Sequence, residues 1–153
     1  MTASEISGSL SRFRRTTWRY QRTFLTRPKD RGTFAAAIVS AQESMETAFV
    51  VIDEVIFEPR RLGLLLAKHL LPSVQLVRDS VLTANNREEI TELLEASLTD
   101  GINFAFVPTP KPFVIYADHD EYTTLFANTK SNLNVSPLLK SEFKEIQNYE
   151  RHL

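Results

Sequence analysis

The stretch Ile102-Asn103-Phe104-Ala105-Phe106-Val107-Pro108-Thr109-Pro110-Lys111-Pro112-Phe113-Val114-Ile115-Tyr116-Ala117-Asp118-His119-Asp120-Glu121-Tyr122-Thr123-Thr124-Leu125-Phe126-Ala127 decides the fold class. Ile102, Phe104 and Phe106 alternate with Asn103 and Ala105, the period of a strand with one face turned inward. Pro108, Pro110 and Pro112 interrupt the run, because proline offers no N–H to a ladder, and Phe113 to Tyr116 resumes it. Asp118-His119-Asp120-Glu121 is a polar turn. Tyr122 to Ala127, rich in threonine and aromatic residues, supplies a third strand. The pattern predicts a three-stranded antiparallel meander.

Upstream of it, Asn85 and Asn86 stand three residues before Glu88 and Glu89, the spacing of a capping box. Ile90, Leu93, Leu94 and Leu98 then keep one helical face apolar, and Asp100-Gly101 supplies a left-handed stop. Pro59 opens another helix, whose apolar residues run from Leu62 to Leu71 until Pro72 ends it. Phe34 to Glu46, with Ala35, Ala36, Ala37, Ile38 and Ala41, has high helix propensity. Two segments read both ways. Residues 48–57 favour a strand by their Val, Ile and Phe content, yet Phe49, Ile52 and Ile56 also fit a helical face; residues 74–82 are equally ambiguous. Downstream, Ser136 caps a closing helix with Pro137 at its first position and Leu138, Leu139, Phe143 and Ile146 inward. The expected fold class is α+β: a small antiparallel sheet of three to four strands, the C-terminal meander, with helices covering one face.

The 153 residues fit one domain, expected to span 9–153 behind a flexible N-terminus at 1–8. That domain opens with a basic helix at about 9–27, because Leu10, Phe13, Thr17, Tyr20 and Phe24 fall at spacings of three and four. Arg12, Arg15, Arg19 and Arg22 repeat the spacing on the opposite side. Residues 9–31 carry eight bases and one acid, whereas residues 32–153 carry ten bases and seventeen acids, so the overall charge of −1 conceals a basic start and an acidic body. Arginines interleaved with Trp18 and Tyr20 suit phosphates and stacked bases, which makes Arg12, Arg15, Arg19 and Arg22 the candidate nucleic-acid contacts. The competing reading is a solvated helix face, or one folded against the chain's own acidic body.

A composition with 42% hydrophobic and 24% charged residues is that of a globular chain with a real core. Zero cysteines exclude disulfides, thiolate catalysis, cysteine zinc sites and iron–sulfur clusters. Asp53, Glu54, Lys68 and Arg78 interrupt the most hydrophobic stretches before they reach the length of a membrane span. The opening residues hold no apolar core of a secretory signal, and the expectation is a cytoplasmic protein. Their arginine, serine and threonine content also resembles an organellar transit segment. Four glycines leave no material for a phosphate cradle, and no P-loop, nucleophile elbow or dinucleotide fingerprint occurs.

The turn Asp118-His119-Asp120-Glu121 has the residue types of a hard-metal or acid–base site. Neighbouring residues of an extended strand point to opposite faces, so a third ligand would have to come from Asp53, Glu54, Glu58 or His69. A solvated acidic turn is the plainer reading, and neither a metal nor a cofactor is expected. His69 reads as a hydrogen-bonded helix residue.

The segment Val114 to Ala127, with the ending Tyr149-Glu150-Arg151, resembles the C-terminal part of small α+β immunity proteins of bacterial toxin systems. The resemblance covers about a quarter of the chain. It implies a non-enzymatic protein that binds a cognate toxin and occludes its active surface. The acidic body is suited to a basic partner. The expected partner-binding residues are Tyr116, Asp118, Asp120, Glu121 and Tyr122, with the two tyrosines as anchors. The alternatives are a nucleic-acid binder using the arginine-rich helix and a small metal-dependent hydrolase at the acidic turn. Self-association is a further expectation, and no membrane partner is expected.

Overall fold

A computed structural model describes residues 1–5, 18–42, 44–71, 74–110, 113–133 and 143–149. It contains an eight-stranded sheet, not the three- to four-stranded one expected. In chain order the strands are β1 (Thr2–Glu5), β2 (Tyr20–Leu25), β3 (Thr47–Glu54), β4 (Ser80–Ala84), β5 (Asn103–Thr109), β6 (Val114–Ala117), β7 (Tyr122–Ala127) and β8 (Lys144–Ile146). They lie in the order β1-β4-β3-β5-β6-β7-β2-β8, and every neighbouring pair is antiparallel. The helices among the described residues are α1 (Arg31–Ser40), α2 (Arg60–Lys68), α3 (Arg87–Thr99) and the single turn α4 (Lys130–Leu133).

The expected meander β5-β6-β7 forms, but as the middle of a wider sheet. The sheet is wider because segments read as helix, loop or ambiguous join it. Tyr20 to Leu25, expected as the end of the basic helix, is strand β2 paired with β7 from Tyr20 against Ala127 to Leu25 against Tyr122. Tyr20, Arg22 and Phe24 also satisfy a period of two, and the aromatic and threonine content favours the strand once a partner edge is available. Residues 9–17 of that expected helix, with Arg12 and Arg15, lie outside the described residues. Lys144 to Ile146, expected inside the closing helix, is the edge strand β8 on β2. Residues 134–142, which include Ser136, Leu138 and Leu139, lie outside the described residues. Thr2 to Glu5, expected to be flexible, pairs with β4.

Helices α1, α2 and α3 bury Phe34, Ile38, Leu62, Leu66, Ile90, Leu93 and Leu94 against one sheet face built from Phe24, Val50, Ile52, Leu82, Phe104, Phe106, Ile115 and Leu125. Each large side chain removed from water there contributes about 1.5–3 kcal/mol. The second sheet face carries Val51, Val81, Ala105, Tyr116 and Phe126, all buried, with Trp18 and Phe49 against them. Burial on both faces explains why β3 and β4 lack alternation: a strand with two apolar faces reads as a continuous run.

Caps position the helices. Asn86 Oδ1 accepts from Glu89 N at 2.9 Å, and Asn85 N donates back to Glu89 Oε2 at 3.1 Å, so the expected capping box forms around Asn86 with its return bond one residue earlier. Gly101 takes φ +60° after α3, the left-handed stop expected of Asp100-Gly101. The Asp100 carboxylate accepts from Arg61 N at 2.9 Å and Leu62 N at 2.8 Å, closing the free N–H groups of α2 from a distant part of the chain.

Candidate functional site

One end of the sheet collects most of the polar chemistry. There β3 leaves at Glu54 opposite Asn103, where β5 enters; β6 leaves at Ala117 opposite Phe104, and the turn 118–121 leads into β7. Asp79 N donates to Ile52 O at 2.9 Å, bringing the entry to β4 to the same end. A register shift between Ile52 and Glu54 turns the last residues of β3, so that Asp53 and Glu54 reach different partners.

Two hydrogen-bonded groups result. Tyr116 Oη donates to Asp53 Oδ2 at 2.7 Å, and Arg78 Nη2 lies 3.4 Å from Asp53 Oδ1. Beside them Asn103 Nδ2 donates to Glu54 Oε2 at 3.1 Å, which aims Asn103 Oδ1 at His119. That oxygen accepts from His119 N at 2.9 Å and from Nδ1 at 3.0 Å. The imidazole is thereby held with Nε2 outward, 3.6 Å from Asp120 Oδ1.

The expected partner-binding residues divide. Asp118 Oδ1 accepts from Tyr122 N at 2.9 Å and Asp118 N donates to Tyr122 O at 3.1 Å, which makes Asp118 the brace of its own turn. Glu121 sits at φ +68°, its carboxylate 3.5 Å from Arg31 and its carbonyl accepting from Thr26 N at 2.8 Å and Thr26 Oγ1 at 3.0 Å. Tyr116 is only 5% exposed and faces the sheet interior. Tyr122 is half-buried and stacks on Tyr149 with ring centroids 5.0 Å apart. Asp120, with its side chain 68% exposed, is the one of the five that projects fully.

Of the arginines, Arg19 is exposed, whereas Arg22 is clamped by Glu145 through Nε to Oε1 and Nη2 to Oε2, both at 2.7 Å. The hydrogen bonds it donates to Glu145 raise the Arg22 pKa above its ordinary value, against the lowering effect of burial. For this residue the acidic body is the partner. Among the described residues no three His, Asp or Glu side chains gather as a metal site. His69 follows the last turn of α2, with Nδ1 3.9 Å from Glu89.

Residues that sequence reasoning missed complete the site. Ile56, Phe57 and Val77 are exposed large apolar side chains, Phe57 at 60%. Val77 lines an open groove of about 710 Å³ together with Asp53, Glu54, Val55, Leu76 and Arg78, and Ile56 and Phe57 follow Val55 in the chain. The sequence signal was the continuation of the apolar run 48–57 beyond Glu54, where the strand has ended and the side chains have no core to enter. Glu54 and Glu58, both exposed, flank Ile56 and Phe57 in the chain, Glu58 pairing with Arg60 at 3.2 Å, and Asp120 is exposed on the turn 118–121. An aromatic side chain in water, with exposed carboxylates on either side of it in the chain and a braced sheet end beside it, can bind a cationic surface.

No family model, curated protein or solved structure matches the chain.

Proposed function

We propose that the chain is a non-enzymatic protein-binding module that recognises a cationic partner through this end of its sheet, acting as the immunity proteins it resembles act, by occluding a toxin's working surface. The observation that carries the reading is the exposed Phe57, which with Ile56 lies between the exposed Glu54 and Glu58 in the chain, near the sheet end that also exposes Val77 and Asp120. An aromatic anchor within a polar rim is the arrangement that concentrates binding energy. Carboxylates at the rim steer a basic partner and hold its register. Asp53, Tyr116, Asn103 and Asp118 support this face from beneath by fixing the strand ends and the turn.

The test is capture of the protein encoded by the reading frame immediately upstream, co-expressed with the wild-type chain and with Phe57→Ala. The expected result is a wild-type complex and an affinity loss of about 2 kcal/mol or more in the variant, the size of an interface hot spot. Phe57 is exposed, so the variant keeps the wild-type Tm. A folded Phe57→Ala chain with undiminished affinity contradicts the reading.

A further inference from the structure

Helix α2 has a second apolar surface, remote from its core-facing residues Leu62, Leu65 and Leu66. Leu64 is 68% exposed, Gly63 and Ala67 flank it on the outer side, and a Cβ placed at Gly63 would meet nothing within 4 Å. Leu64 borders a groove of about 310 Å³ between α2 and α3. The α2 wall of the groove carries Arg61 and Lys68, and the α3 wall carries Glu92 and Glu95. Lys68 Nζ bonds Glu92 at 2.7 and 3.0 Å across the floor, with both side chains still open to solvent.

We infer that this face binds a second copy of the chain. A two-fold axis through the groove sets α2 against the other copy's α3, so a basic wall meets an acidic wall twice and the two Leu64 side chains cover one another. The alternatives match only one wall. A cationic protein or an anionic membrane is attracted by one row of charges and repelled by the other, whereas a two-fold copy satisfies both rows at once. Gly63 and Ala67 permit the close helix approach that such a contact needs. Gly63 and Leu64 also share an open pocket with Glu58, so the face adjoins the Phe57 end, but the inference does not depend on the proposed function.

Sedimentation velocity of the full chain, at concentrations up to about 300 μM so that mass action populates a weak dimer, reads the outcome directly. The wild type should reach twice the 17.5 kDa chain mass. Leu64→Asp should weaken the dimer at least about tenfold with Tm unchanged, because Leu64 is exposed within the monomer. A variant with all four charges reversed (Arg61→Glu, Lys68→Glu, Glu92→Lys, Glu95→Lys) should dimerise with itself and not with the wild type, since each reversed wall then faces its like. A wild-type chain that stays monomeric, including one that instead sediments with vesicles containing anionic lipid, overturns the inference. So does a dimer that survives Leu64→Asp, or one in which reversed and wild-type chains mix freely.

Discussion

The Tyr116 hydroxyl donates to the buried carboxylate of Asp53 at 2.7 Å, inside a sheet face. Tyr116→Phe removes that donor and keeps the ring, leaving a charged, largely buried acceptor at the edge of the groove short of one bond. The expected cost is about 1.5–3 kcal/mol in a urea or thermal melt, the range for hydrogen bonds to charged groups. Partner affinity should be unchanged once folding is accounted for, because the ring presents nothing outward. The contrast with Asp120 shows what sequence can say at this scale. Residue types identified the acidic turn as a place where polar side chains gather, and the structure puts all five expected residues in or beside it. Which of them faces water depends on bonds to distant residues: Glu121 on Arg31 and Thr26, Tyr116 on Asp53, Tyr122 on Tyr149. No local pattern encodes those pairings.

Helix α3 was legible in full because its signals are local: Asn86 caps it, Glu89 returns a bond, four apolar residues keep one face and Gly101 stops it. The Asn85 N–H above all, with the Met1 ammonium 3.1 Å away and His69 adding to it, holds the Glu89 carboxyl below the usual carboxylate range against the opposing effect of burial. A carboxyl lowered in the folded state contributes stability that is fully present above its unfolded pKa and is lost as pH falls through the folded value. Glu89→Gln should therefore lower Tm at neutral pH and narrow the gap to the wild type progressively on acidification below the ordinary carboxylate range, measured by melts across pH. A gap constant with pH would contradict the linkage. The strands were harder because their signals are not local. β2 carries residues at spacings of three and four as well as two, and only the open edge of β7 selects the strand. The strands β3 and β4 are apolar on both faces, which erases the period that would have distinguished them from buried helices.

At the scale of the whole molecule, β1 and β2 follow one another in the chain yet stand six places apart in the sheet. Local reading finds the meander and misses such long-range partners, which is why the expected sheet was half as wide as the real one. Both sheet faces are buried, so the exposed ends of the sheet and the outer surfaces of the helices remain for recognition. No helix among the described residues is long and apolar enough to cross a membrane. The central claim is that the end bearing Phe57 and the exposed carboxylates captures a cationic protein. It is tested most directly by the association rate between the chain and the protein encoded immediately upstream, measured at low and high salt for the wild type and for the folded triple variant Glu54→Lys, Glu58→Lys, Asp120→Lys. Removal of steering should slow association by about tenfold or more at low salt, with the difference shrinking as salt screens the charges. An association rate that is the same for both proteins at low salt would contradict the claim.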